Sequence, residues 1–166
     1  MPVVQLTRHT NHALRLLMYC AAHGAGPQGP TVRLADAAQF YGLSPAFLHK
    51  VMQGLAARGY VRTARGRNGG VRLARDAGAI RLGDVVRDTE DRFELADCFR
   101  DDADCPLQAS CNLSRTLHRA LDAFFAVLDE VTIADLTGPR ANINVLATLD
   151  AMTRVPFTPA SREDAA

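Results

Sequence analysis

The sequence predicts a mainly α fold with one small β-hairpin, and three stretches predict it. Residues 31–58 hold two short helical patterns joined at Gly42-Leu43-Ser44-Pro45. Residues 59–74 hold two alternating strands around a glycine-rich turn. From Leu113 to Val131, apolar residues recur by three and four, the narrow stripe of a helix that seeks a partner helix.

Each element follows from local chemistry. Leu6 to Ala22 reads as a helix, with Thr10 or Asn11 as its cap or an early exposed position, and Cys20 as a small hydrophobe packed inside it. The Gly- and Pro-rich segment 24–30 breaks the chain. A short helix from Thr31 ends at Gly42. Ser44 then caps a second helix with Pro45 at its first position, running to about Arg58. Leu48, Val51, Met52 and Leu55 form the core face of that helix, and His49, Lys50, Gln53 and Arg58 its polar face. Two helices with a tight turn read as a helix-turn-helix. The hairpin that follows carries Arg65-Gly-Arg-Asn-Gly-Gly70 at its tip and reads as a basic wing. The candidate DNA-contacting residues are Ser44, Phe47, His49, Lys50, Gln53, Arg65, Arg67, Asn68, Gly69 and Arg72.

Ala79 to Thr89 reads as a short helix with Ile80, Leu82, Val85 and Val86 inward. Asn112 or Ser114 opens the long helix, whose Leu117, Leu121, Phe124 and Leu128 are candidate dimerisation residues, with Phe125 and Ala120 widening the stripe. Thr132 to Leu136 reads as a capped extra turn, 142–152 as a last amphipathic helix, and the chain from Pro156 as a disordered tail. The expected organisation is a winged helix-turn-helix domain (1–88), a cysteine loop (89–112), a dimerisation helix with the C-terminal helix (113–155), and the tail (156–166).

Composition narrows the function. The 166 residues suffice for one compact domain with an extension. No apolar run approaches the roughly 20 residues that span a bilayer, and the N-terminus carries no apolar signal segment, so a cytoplasmic protein without membrane contact is expected. The net charge of +1 hides an asymmetry. Residues 1–80 hold ten Arg and Lys against Asp36 and Asp76, a net +8, while 81–166 hold nine Arg against sixteen Asp and Glu, a net −7. A basic front half suits a polyanion such as double-stranded DNA. No Ser-His-Asp, Walker or paired-acid arrangement falls on a recognisable scaffold, so an enzyme is not expected.

Three of the four cysteines, Cys98, Cys105 and Cys111, crowd into one acidic segment, separated by six and five residues. Clustered cytosolic thiols are more often metal-binding or catalytic than disulfide-forming, and no two-residue Cys spacing of a zinc ribbon or thioredoxin motif is present. Loops of this length let each thiolate reach a different corner of a larger object, which suits an iron–sulfur cluster of 4Fe-4S or 2Fe-2S type. A zinc-stabilised structural or interaction module and plain structural cysteines are the alternatives. Cys98, Cys105 and Cys111 are the candidate metal ligands.

These motifs together resemble the iron–sulfur winged-helix regulators that include NsrR, IscR and RirA. Residues 6–15, 59–73, the three cysteines and 123–136 carry the resemblance, which covers nearly the whole chain, and 88–102 is most similar to the iron-responsive RirA. The resemblance implies a homodimeric repressor whose cluster state governs DNA binding and reports iron status. It implies nitric oxide sensing as the alternative. IscR-like relatives place a histidine ligand where this chain has Ser114, and NsrR-like relatives an aspartate where it has Asn11. The fourth ligand is left open by these departures, with His9, His12 and His118 nearby and an open or small-molecule site implied by the RirA-like pattern.

Overall fold

In the computed structural model, residues 5–64, 69–99, 105 and 111–138 are described. Expectations for Arg65, Arg67 and Asn68, for most of the segment between Cys98 and Cys111, for the helix at 142–152 and for the tail from Pro156 lie outside them.

The first helix, α1 (Arg8–Ala22), starts at Thr7, whose hydroxyl accepts from the Thr10 N–H at 3.2 Å. The expected cap at Thr10 or Asn11 is therefore corrected by one turn. Thr10 is fully buried and its hydroxyl meets that of Thr7 at 3.1 Å, so the threonine that looked exposed sits inside the capping turn. Ala13, Leu16, Leu17, Tyr19 and Cys20 are the buried face of α1. Next come α2 (Leu34–Phe40), ended by Gly42 at φ +63, and α3 (Pro45–Ala57). The helix-turn-helix stands as the sequence reads it, and Leu48, Val51, Met52 and Leu55 are all buried.

Strands β1 (Val61–Ala64) and β2 (Gly70–Leu73) pair antiparallel, with Val61 opposite Leu73 and Thr63 opposite Val71. Val32 adds a short third edge, exchanging two backbone hydrogen bonds with Val71 at 2.9 and 2.8 Å. That edge needs Gly70, because a Cβ there would collide with the Val32 carbonyl. A 3-10 turn at Ala77–Ala79 leads into α4 (Leu82–Thr89), where Val85 and Val86 are buried as expected. The long α5 (Asn112–Asp129) follows, and α6 (Ile133–Thr137) opens with a complete capping box between Thr132 and Asp135. α6 returns to the body of the protein. Ile133 is fully buried in the core shared with α1 and α3, and its N–H bonds the Ile80 carbonyl at 2.9 Å.

Candidate nucleic-acid interface and thiol centre

Recognition geometry begins at the N-terminus of α3. Ser44 has the extended backbone of a cap, and Pro45 occupies the first turn, where a missing N–H costs nothing. The Ser44 side chain makes no capping bond, so its exposed hydroxyl stays free of the helix it precedes. His49, Lys50 and Gln53 are exposed on the face opposite the core, and the Gln53 amide donates to His49 Nε2 at 3.2 Å. Phe47 is half-buried, packed against the core and edge-on to His12 with ring centroids 5.4 Å apart. Its ring helps seat α3 on α1. His9 performs the same service at Gly54, where an added Cβ would stand 3.4 Å from His9 Nε2.

The hairpin stem is anchored at its base. Gly59 at φ +72 turns the chain out of α3, and Tyr60 is buried beside it. The Tyr60 hydroxyl donates to Asp88 Oδ2 at 2.6 Å, and burial together with that carboxylate pushes the phenol well above its usual range. The Arg75 guanidinium lies 4.5 Å over the Tyr60 ring and donates to the Gly59 and Arg58 carbonyls. Arg72 sits on β2 directly opposite Arg62 and donates to the Gly29 carbonyl at 3.3 Å. Gly69 is half-buried at the start of the returning strand. Arg62 did not figure among the candidate contacts, although strict alternation along both strands places it beside Arg72.

Cys98 lies half-buried in a 3-10 turn (Asp97–Phe99), and Cys105 is exposed. Cys111 is the N-cap of α5, its sulfur accepting from the Ser114 N–H at 3.5 Å. The turn and the helix meet through Phe99, which stacks flat on His118 at 4.1 Å and 2°. His118 Nδ1 donates to the Ser114 carbonyl at 2.8 Å. All four cysteines are free, and Cys20 differs from the rest: it is fully buried in α1, and burial pushes its thiol up to about 12. Among the described residues, no three His, Cys, Asp or Glu side chains are gathered closely enough to hold a metal ion. By chemistry the free, soft thiols suit a cluster, and two of them, Cys98 and Cys111, sit on elements in ring contact. His9 and His12 pack toward α3. The His12 Nδ1 is buried without a hydrogen-bond partner, and its pKa is lowered by burial and by Arg15, Arg8 and His9. Asn11 is exposed on α1.

The first residues of the cysteine loop are tied to the rest of the molecule at two points, and α4 is tied to α5 beside them. Glu90 Oε1 accepts from the Thr7 N–H at 2.6 Å, in front of α1. Phe93 meets Phe125 of α5 edge-on at 4.7 Å. Arg87 spans the joint, paired with both carboxylate oxygens of Asp129 at 2.7 Å and lying 4.2 Å over Phe125. Along α5 itself no residue is fully buried. Leu117, Leu121, Phe125 and Leu128 are half-buried, while Leu113, Phe124 and Val127 are exposed by 64, 42 and 63%.

A two-helix reader, a paired hairpin and a thiol-bearing joint in this order are matched over residues 6–139 by the Rrf2 family, an iron-dependent transcriptional regulator family. The chain belongs to the Rrf2 family. Protein aau3 of Rhizobium meliloti is 49% identical to it over 91% of this chain and 96% of the relative. The helix-turn-helix transcriptional regulator NsrR of Geobacillus kaustophilus is 40% identical over 86% of this chain and 96% of its own length. Among solved structures, CymR, the global cysteine regulator of B. subtilis, superposes with a TM-score of 0.63 at 28% identity, covering 81% of this chain and 97% of CymR. This Rrf2 protein is a DNA-binding transcriptional regulator and not an enzyme. No helix among its described residues is long and apolar enough to cross a membrane.

Proposed function

We propose that this regulator is a cytoplasmic homodimeric repressor whose grip on operator DNA is set by a labile iron–sulfur cluster on Cys98, Cys105 and Cys111. Iron status is the signal, as the resemblance of residues 88–102 to RirA implies. The observation that carries the proposal is the joint at the start of α5. Cys111 caps the helix, Phe99 beside Cys98 stacks on its second turn, and the same helix leaves Leu113, Phe124 and Val127 open for a second copy. One element would thus seat the cluster and the dimer partner together. A bound cluster would supply a reversible, iron-dependent crosslink between the turn at Cys98, the loop at Cys105 and that helix. Three thiolates leave one corner of a four-iron cluster to a non-cysteine or small-molecule ligand. The same cofactor with an incompletely thiolate-ligated iron also supports nitric oxide as the signal, a reading favoured by the NsrR relatives.

Anaerobic purification tests the cofactor. A brown protein with visible absorption is expected, lost in Cys98→Ser, Cys105→Ser and Cys111→Ser and kept in Cys20→Ser. A colourless, zinc-loaded protein, or full cluster occupancy in Cys105→Ser, would refute it. Operator binding by the brown protein should be released by an iron chelator if iron is the signal. Release by nitric oxide with chelator resistance would instead select the second reading.

A further inference from the structure

Alternation along β1 turns Val61 and Thr63 to one face and Arg62 and Ala64 to the other, and β2 answers with Val71 and Leu73 against Gly70 and Arg72. On the inner face Val61, Val71 and Leu73 are each at most 2% exposed, while Thr63 toward the tip is exposed. On the outer face Arg62 stands directly opposite Arg72. Directly opposed residues hold their Cβ atoms about 4.5–5.5 Å apart, and like charges in that position weaken a ladder. Among the described residues no carboxylate pairs with either. The ion pairs among the described residues join Arg87 to Asp84 and Asp129, and Arg92 to Glu94. Arg72 bonds only a neutral carbonyl, that of Gly29, and Arg62 is exposed.

The scaffold under this pair is stiff. Val32 locks the far edge of β2 through two hydrogen bonds, and Gly29 is wedged where a Cβ would collide with the backbone of Gly24. Arg72 is therefore held by a fixed loop on one side and a fixed strand on the other. Two arginines opposed across the ladder on this platform make a ready seat for a phosphate, whose oxygens can accept from both guanidinium groups.

We infer that Arg62 and Arg72 form a phosphate clamp on the stem of the wing, taking one backbone phosphate of duplex DNA per subunit behind the groove that the tip enters. The inference rests on the reading of the hairpin as a DNA-binding wing. A phosphate contact carries no sequence information, so a mixed-sequence duplex of about three helical turns is a sufficient probe. Its anisotropy is to be followed with the full-length, cluster-loaded protein under anaerobic conditions between about 50 and 200 mM salt. Arg62→Gln should make the slope of log affinity against log salt shallower by about 0.9 for each lost contact, roughly 1.8 for a dimer. Arg62→Lys should keep the parental slope, because the charge stays. Arg62→Gln combined with Arg72→Gln should lose less than the sum of the single changes, since both act on one phosphate. A parental slope in Arg62→Gln, while the tip variant Arg65→Ala with Arg67→Ala is shallower, overturns the clamp and leaves the wing standing. A parental slope in both variants removes the wing reading and the clamp with it. An equally shallow slope in Arg62→Lys would mean that the side chain shapes the stem, and would also overturn the clamp.

Discussion

Helix α3 and the long helix α5 carry the same kind of apolar stripe and meet opposite fates. α3 has 13 residues and buries four of them, whereas α5 has 18 and buries none. The cysteines divide along the same line: Cys20 is sealed in the body, and Cys98, Cys105 and Cys111 are half-buried or exposed. A stripe of leucines identifies the face that will be covered. Whether the cover comes from the same chain is decided by what else that chain can bring to it.

The sharpest way to break the contrast is to damage both stripes. Leu55→Ala, in the body, should cost about 2–5 kcal/mol, the range for emptying a closed core site. Leu113→Ala should cost the folded monomer well under about 1 kcal/mol, since its side chain is largely exposed. Phe124→Asp should instead act on assembly, placing a charge that a partner helix would have to bury at a cost of several kcal/mol. Sedimentation is expected to show a monomer with an intact melt. A dimer unchanged by Phe124→Asp would remove this face from any interface.

Tyr60→Phe probes how firmly the body holds the acidic segment. The lost hydrogen bond to Asp88, whose carboxylate is exposed, should cost about 0.5–1.5 kcal/mol in thermal or denaturant unfolding. The phenol's raised pKa gives a second readout. Its contribution is complete below the ordinary tyrosine value of 10.0 and is lost as pH climbs through the raised one. Tyr41, Tyr19 and Cys20 are also raised by burial and act in both proteins, so the parent should lose more stability across that alkaline range than Tyr60→Phe does.

Most of this body was legible in the sequence because its elements are local. The apolar spacing of α3, the Gly42 stop and the alternation of the hairpin each depend on a few neighbouring residues. Long-range hydrogen bonds have no such signature. Nothing near Tyr60 announces Asp88, twenty-eight residues on, and nothing near Thr7 announces Glu90. Cys20 was readable as a core residue from its apolar neighbours, whereas the ring contact of Phe99 with His118 depends on how an irregular acidic segment folds back. The N-cap role of Cys111 was hidden because cysteine is not an ordinary capping residue.

Acid should loosen the joint before it loosens the body. The hydrogen bonds from Arg87 hold the Asp129 carboxyl below its ordinary value of 3.8. A depressed folded value means that the contribution is present above the ordinary value and is lost as the pH falls through the lowered one. Below pH 4, the parent should therefore lose the Phe93–Phe125 contact, read by near-ultraviolet circular dichroism, ahead of global unfolding. Asp129→Asn should show that loosening at neutral pH and little further change on acidification. An identical acid profile in parent and variant would detach Asp129 from the joint.

Two glycines inside helices give effects of opposite sign. Replacing a helical glycine by alanine removes backbone freedom from the unfolded chain and is worth up to about 1 kcal/mol where space allows. At Gly54 in α3 the new methyl would meet the His9 ring at 3.4 Å and Arg58 Nη1 at 3.7 Å, ordinary contacts with side chains that can turn slightly. Gly54→Ala should therefore raise the melting temperature. At Gly83 in α4 the new methyl would collide with the Asp129 carboxylate and lie 2.9 Å from Arg87 Nη1. The clamp between α4 and α5 must then open, so Gly83→Ala should lower stability by about 1–3 kcal/mol despite the same gain in helix propensity. In an Asp129→Ala background, where the pair is already gone, Gly83→Ala should lose most of this cost. If Gly83→Ala alone is as stable as the parent, the bidentate contact that joins the long helix to the body is not a fixed part of the fold.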